Sequence, residues 1–308
     1  MNLKNNYFRG AAFALAGATL WGLSGTASSA LFTVYGMPYL SLLTVRMLLS
    51  GGLMYLVLRP KFPGDKRLLF MLFAFNLMAV QLTYLAAIKY TNAPTATMLQ
   101  YLFLPIVFVF ELAVHRIRSS AILYAAMAVS ILGIFELTTS FPLKGISLVI
   151  NPVGFAFGVV SAVTAALYVL LSAPLIERMG AVNSVLWGLL IGGVMSVPLG
   201  LFPSFAYFSA LHFSELIPVS LLVLFVAIFG TMLAFTLFIK SMETITATQA
   251  SIAGTMEPVA AAVSSLLFLG VLMTAQQYFG GALIIVSIIV VQKTNAVARV
   301  DAPPELKI

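Results

Sequence analysis

Cysteine is absent from the 308 residues, which excludes disulfides, thiolate metal sites and cysteine nucleophiles and leaves the redox compartment unreadable. Histidine occurs only as His115 and His212, both near the ends of apolar runs. No His-Glu-x-x-His zinc pair and no Ser–His nucleophile arrangement can therefore be built within one run. No pair of aspartates lies deep in an apolar stretch, and no glycine-rich Lys-Ser/Thr loop is present. Intramembrane catalysis and ATP hydrolysis are both disfavoured, no ATPase subunit is implied, and no metal or organic cofactor is expected. Charge is scarce as well: 8% of residues are charged, against about 25% in an ordinary soluble domain. So few charges cannot cover a surface that faces water.

What is present is apolar sequence, 61% of the chain. Such a chain faces lipid, and each crossing needs about 20 consecutive apolar residues. Apolar runs punctuated by Gly, Pro and charge predict spans at 10–34, 39–58, 68–89, 94–114, 120–138, 152–176, 182–202, 218–239, 247–270 and 274–292. The first run spans about 24 residues, longer than the h-region of a secretory signal, and is read as a membrane span. The longest connections, 139–151 and 203–217, contain the turn formers Pro142, Pro203 and Ser204 and are too short for a separate domain.

The net charge of +7 orients the chain and does not call for nucleic acid. With a cytoplasmic N-terminus, the cytoplasmic segments hold Lys4, Arg9, Arg59, Lys61, Lys66, Arg67, Arg116, Arg118, Arg178, Lys240, Lys293, Arg299 and Lys307. Lys89 and Lys144 fall outside, and Arg46 lies within span two. That bias predicts both termini in the cytoplasm.

The two halves echo each other at an offset of about 151 residues, an odd-numbered repeat that must enter the membrane inverted. Ile88-Lys89 aligns with Ile239-Lys240 and Thr95-Ala96-Thr97 with Thr246-Ala247-Thr248, and each half then reaches a proline, Pro105 or Pro258. The expected architecture is an all-α membrane protein of ten transmembrane helices, arranged as two inverted five-helix repeats, 1–145 and 146–300, around a central cavity, with a tail at 301–308. Two such bundles can rock about a shared site.

Several segments carry a resemblance: Ala18-Thr19-Leu20-Trp21-Gly22-Leu23, Arg46-Met47-Leu48-Leu49, Tyr84-Leu85-Ala86-Ala87-Ile88-Lys89-Tyr90, Glu257-Pro258-Val259 and Gly280-Gly281-Ala282-Leu283-Ile284-Ile285. In this order and spacing the chain resembles the EamA-type proteins of the drug/metabolite transporter superfamily. Where that family often carries Leu-Gly-Glu after its ninth helix, this chain reads Leu269-Gly270-Val271. The resemblance implies secondary transport of an amino acid, related metabolite or drug, commonly outward, across a bacterial cytoplasmic membrane. A passive facilitator is the alternative.

Glu257 is the deepest carboxylate by sequence and stands beside the helix-loosening Pro258. It reads either as a proton or cation coupling site or as a structural carboxylate. Arg46 reads as a bidentate ligand for a substrate carboxylate, as a partner for Glu257, or as a cap for helix carbonyls. Gly10, Ala14, Ala18, Gly22, Thr26 and Ala30 form a small-residue ridge for helix packing, while Gly17, Trp21, Ser24 and Ser28 form a second face of span one. Polar faces must point inward in lipid. Trp21 and Ser24 are therefore grouped with Gln81 and Tyr84 of span three, Thr97, Gln100 and Tyr101 of span four, and Ser161, Thr164, Tyr168 and Ser172 of span six. Together they predict an aromatic, hydroxyl-rich cavity for a small-molecule substrate. Glu111 and Glu136, near span ends, read as interface charges.

Overall fold

In the computed structural model, the structure describes residues 3–60, 67–115, 121–140, 147–148, 150–245, 250, 253–254 and 256–300. Lys61, Lys66, Arg116, Arg118, Lys144, Thr246-Ala247-Thr248, Pro142 and the tail 301–308 lie outside the described residues.

The first half contains α1 (Leu3–Thr33), α2 (Tyr39–Leu58), α3 (Arg67–Tyr90), α4 (Ala93–Gln100), α5 (Phe103–His115) and α6 (Ala121–Thr138). A two-residue antiparallel pairing follows, Thr139 opposite Leu148 and Ser140 opposite Ser147. The second half contains α7 (Pro152–Met179), α8 (Ala181–Ala210), α9 (Phe213–Ala227), a π-helical turn over Ile228–Leu233, α10 (Ala234–Ser241), α11 (Met256–Leu269) and α12 (Ala275–Val300). Among the described residues, five helical stretches are long and apolar enough to cross a membrane: Tyr39–Leu58, Arg67–Tyr90, Pro152–Ser172, Ala181–Ala210 and Phe213–Ser241.

The interior is largely apolar, with Leu31, Phe73 and Leu85 fully buried, and so is much of the outer surface. Phe202, Phe205, Phe213, Leu267 and Phe268 are exposed, while Ser24, Arg46, Gln81 and Glu257 are buried. An outer surface of this kind suits hydrocarbon, and the polar groups inside must find partners in one another, in helix carbonyls or in a cavity. Many serines and threonines follow this rule, though the hydroxyls of Ser41, Thr95 and Ser130 find no partner among the described residues. The Ser28 hydroxyl donates to the Ser24 carbonyl (2.8 Å), and the Thr33 hydroxyl to the Ser29 carbonyl (2.8 Å).

Three departures from the sequence expectation have local causes. Span four is broken at Tyr101–Leu102, between α4 and α5, because Pro105 has no N–H for the Tyr101 carbonyl; the Leu104 amide reaches that carbonyl instead (3.2 Å). The predicted connection 203–217 is helical to Ala210, with only Leu211 and His212 before α9. Pro203 and Ser204, read as turn formers, are accommodated inside α8, where the Ser204 hydroxyl bonds the Gly200 carbonyl (2.6 Å). Proline in a membrane helix is tolerated because side chains and neighbouring helices satisfy nearby carbonyls. The third departure is the π-helical turn within span eight.

Packing is organised around helix pairs: α2 lies on α8, α6 on α12, α3 on α7, and α1 on both α10 and α11. The small-residue ridge of α1 faces α11, where a Cβ on Gly22 would lie 2.5 Å from the Glu257 carbonyl, and the second face meets α10, where a Cβ on Gly17 would lie 2.8 Å from the Ala234 carbonyl. Further along the ridge, the Thr26 hydroxyl meets those of Ser264 (2.6 Å) and Ser265 (2.9 Å). Near the other end of α3, the Lys89 ammonium donates to the Phe32 carbonyl at the end of α1 (3.3 Å).

Candidate functional site

The central cavity has a volume of about 70 Å³, room for a few waters or one small solute. Trp21 and Ser24 enter it from α1, Arg46 from α2, Val80, Gln81 and Tyr84 from α3, and Gln100, Tyr101 and Phe103 from the break between α4 and α5. The second half contributes Ala165, Tyr168 and Val169 of α7, Gly230 of the π-helical turn, Phe235 and Phe238 of α10, and Gly254 with Glu257.

The helix break and the π-helical turn both shape the wall. Ending α4 at Gln100 leaves that residue and Tyr101 facing inward, and the Gln100 amide is fixed by donating to Ser161 Oγ (2.8 Å). The π-helical turn places Gly230 against Ser24 so closely that a Cβ there would lie 2.0 Å from Ser24 Oγ. Beside it, the Trp21 ring meets Phe235 edge-on (centroids 4.8 Å, 71°) and lies tilted against Phe238 (4.7 Å). Tyr168 stacks on Phe73 (5.6 Å) and meets Phe235 edge-on (5.9 Å). Such offset and edge contacts hold the aromatic wall in defined orientations.

Two kinds of polar group line the cavity. In the first, Tyr101 shares its one hydroxyl proton between Glu257 Oε2 (3.3 Å) and the Gly254 carbonyl. The Tyr84 hydroxyl also lies within reach of this carboxylate and is joined to Thr97 Oγ1 (2.8 Å). Glu257 is thus held by phenols. In the second, Arg46 is 3% exposed, and its Nε and Nη2 have no hydrogen-bond partner among the described residues. Gln81 Nε2, Trp21 Nε1 and the Tyr168 hydroxyl are likewise buried without a partner there. Unmet buried groups cost about 1–3 kcal/mol each, so their concentration around one cavity marks it as a place that is completed by something else.

The structure brings together Trp21, Ser24, Arg46, Gln81, Tyr84, Gln100, Tyr101, Tyr168 and Glu257. Thr97 and Thr164 stand outside the lining. Thr97 supports Tyr84, and Thr164 sits between α7 and α3, its hydroxyl 3.4 Å from that of Thr83 and its carbonyl accepting from Asn76 (2.9 Å). Ser161 holds Gln100, and Ser172 turns back to the Val169 carbonyl (2.9 Å). Of the two carboxylates near span ends, Glu136 accepts from the Gln276 amide across α6 and α12 (3.1 Å), and the Glu111 side chain lies outside the description. The lining residues that sequence reasoning passed over are apolar, Phe235 and Phe238 foremost. One signal was available: the offset between the halves sets Phe235 opposite Tyr84.

Membrane-length apolar helices enclosing a small, largely apolar cavity set with a few buried polar groups define a multi-pass integral membrane protein of the solute-transporting kind. Comparison with known proteins agrees and narrows it. The EamA-like transporter family matches residues 8–139 and again 152–292, and the chain belongs to that family, a branch of the drug/metabolite transporter superfamily. It is 30% identical over 288 residues to "Uncharacterized inner membrane transporter YicL" of Salmonella typhimurium, covering 90% of this chain and 93% of that one. A solved crystal structure is similar in fold, with a TM-score of 0.61 at 15% identity over 95% of this chain and 99% of its own.

Proposed function

We propose that this chain is a secondary transporter that exports a small organic solute across the cytoplasmic membrane by alternating access at the central cavity. One observation carries this reading: the cavity is lined from both halves of the chain, by Trp21, Arg46 and Tyr84 on one side of the sequence and Tyr168, Phe235 and Glu257 on the other. A site so shared opens to opposite faces when the halves rock.

The division into inverted repeats, 1–145 and 146–300, is supported by the two separate stretches that the family matches and by the packing. Under a five-span repeat, the α3–α7 pair is the counterpart of α1 with α10, and the α1–α11 pair that of α7 with α4 and α5; all four are packed together. The inner-membrane name of the Salmonella relative and the cytoplasmic bias of Lys and Arg support the location and orientation.

Glu257 is the coupling group in this scheme, and the alternative is a facilitator in which it is structural. Arg46 and Glu257 are the only buried charged side chains among the described residues, which leaves few groups able to carry a coupled proton and keeps the facilitator as the competing reading. Purified protein in proteoliposomes decides between them under an imposed pH step or membrane potential. Coupling predicts uphill accumulation by wild type, abolished in Glu257→Gln, with substrate exchange retained. A wild type that only equilibrates its substrate is a facilitator, and one that moves no solute overturns transport itself.

A further inference from the structure

We propose that the cavity takes the carboxylate of a small organic acid through the unmet groups of Arg46, Gln81, Trp21 and Tyr168 that line it, and that it discriminates against simple amines. This rests on the cavity being the transport site.

Among the described residues, the unmet groups that line the cavity are five atoms on four helices: Arg46 Nε and Nη2 from α2, Gln81 Nε2 from α3, Trp21 Nε1 from α1 and the Tyr168 hydroxyl from α7. Four of the five are N–H groups that donate and cannot accept. Only a ligand that brings acceptor atoms completes them. Away from the cavity many buried hydroxyls, such as those of Ser28 and Ser264, return to carbonyls of their own helices, while those of Ser41, Thr95 and Ser130 have no partner among the described residues.

Charge points the same way. Among the described residues, Arg46 is the only cation in the lining and forms no ion pair, and Glu257 is the only carboxylate there and is already engaged by Tyr101. The guanidinium fork presents parallel donors matched to a planar carboxylate. A cavity of about 70 Å³ with one cation suits a monoanion better than a dianionic phosphate. The body of such a ligand would lie against Phe235 and Phe238. An amine placed there would add a second cation near Arg46 and leave the N–H groups unmet, whereas a simple carboxylate and an α-amino acid share the group these donors select.

The test uses the full chain, purified, and a matched set of probes: 4-methylpentanoate, 4-methylpentanamide, 4-methylpentylamine and leucine. Binding is read by thermal shift and movement by counterflow in proteoliposomes. The expected result is that at least one of the two carboxylate probes stabilises the protein at millimolar concentration, the amide less, and the amine not at all. Arg46→Gln should weaken the bound carboxylate by about tenfold or more without lowering the melting temperature of the unliganded protein. Gln81→Met and Trp21→Phe remove one N–H donor each while keeping bulk; they should weaken it several-fold, and they decide the matter if Arg46→Gln does not fold. An amine that binds as tightly as the acid overturns the proposal. So does the absence of binding by both carboxylates, or unchanged carboxylate affinity in the variants. If the carboxylates bind in this pattern but no probe crosses the membrane, transport fails and the carboxylate selection stands. If the amine is carried and the carboxylates neither bind nor compete, the carboxylate selection fails and transport stands.

Discussion

Gly22→Ala is the smallest change that tests how α1 and α11 are held together. The added Cβ would sit 2.5 Å from the Glu257 carbonyl oxygen, 2.7 Å from Ala260 Cβ and 2.8 Å from the Ala261 nitrogen. Two of these are backbone atoms that cannot rotate aside, so one helix must retreat by roughly 1 Å to restore ordinary contact in a close-packed interior. Overpacking of this kind costs about 1–3 kcal/mol. The intrinsic helix preference of Ala over Gly, about 0.5–1 kcal/mol, opposes it and leaves a net loss. The displacement also falls on Glu257, whose bond from Tyr101 is already 3.3 Å long, so transport should decline along with stability. Thermal unfolding in detergent is the assay, with Gly52→Ala as the control. Gly52 also lies within a helix, α2, but nothing lies within 4 Å of where its Cβ would be, so that variant should melt at or slightly above the wild-type temperature. A Gly22→Ala protein that melts with the control would refute the close-approach reasoning.

Thr26→Val removes the hydroxyl contacts to Ser264 and Ser265 and should destabilise the fold by about 0.5–1.5 kcal/mol; an unchanged unfolding midpoint would show that these hydroxyls contribute nothing. Ala18 is fully buried on the ridge, so Ala18→Leu should reduce folded yield, whereas Trp21→Ala should preserve yield and lose transport. Equal loss of transport in both, at normal expression, would abolish the distinction between the two faces of α1. A cysteine introduced by Lys61→Cys should be labelled only from the cytoplasmic side, and labelling of intact cells by an impermeant reagent would reverse the orientation.

The sequence carried the class of the protein and most of its helices because both depend on long-range averages of hydropathy, which survive errors at individual residues. Polar members of the cavity were legible for a related reason: Arg46, Gln81 and Glu257 are expensive in lipid and so must face inward. The apolar members were not. Phe235 faces the cavity and Phe229 is exposed, yet the two are the same residue type in one apolar run, and only packing separates them. Helix interruptions divided similarly. Pro105 marked the repeat in the sequence, but nothing there showed that it would break span four and turn Tyr101 toward Glu257. Pro203 read as a turn former and produced no break. A proline removes one donor in both cases, and whether the chain bends depends on what surrounds the freed carbonyl.

The wide turn at Ile228–Leu233 acts on everything that follows it as a phase shift. A π-helical turn accommodates one more residue than an α-helical one, and an added residue rotates the later side chains by about 100° relative to an uninterrupted helix of 3.6 residues per turn. The Thr231 hydroxyl reaches back five residues to the Val226 carbonyl (2.8 Å), across this turn. On its N-terminal side, Val219, Val223 and Val226 form one buried stripe; on its C-terminal side, Phe235 and Phe238 meet Trp21. One straight helix could not keep both alignments. Span eight is therefore two differently clocked rods in one continuous chain, and removing a single residue from the turn would unseat the aromatic wall while leaving every side chain in it chemically intact.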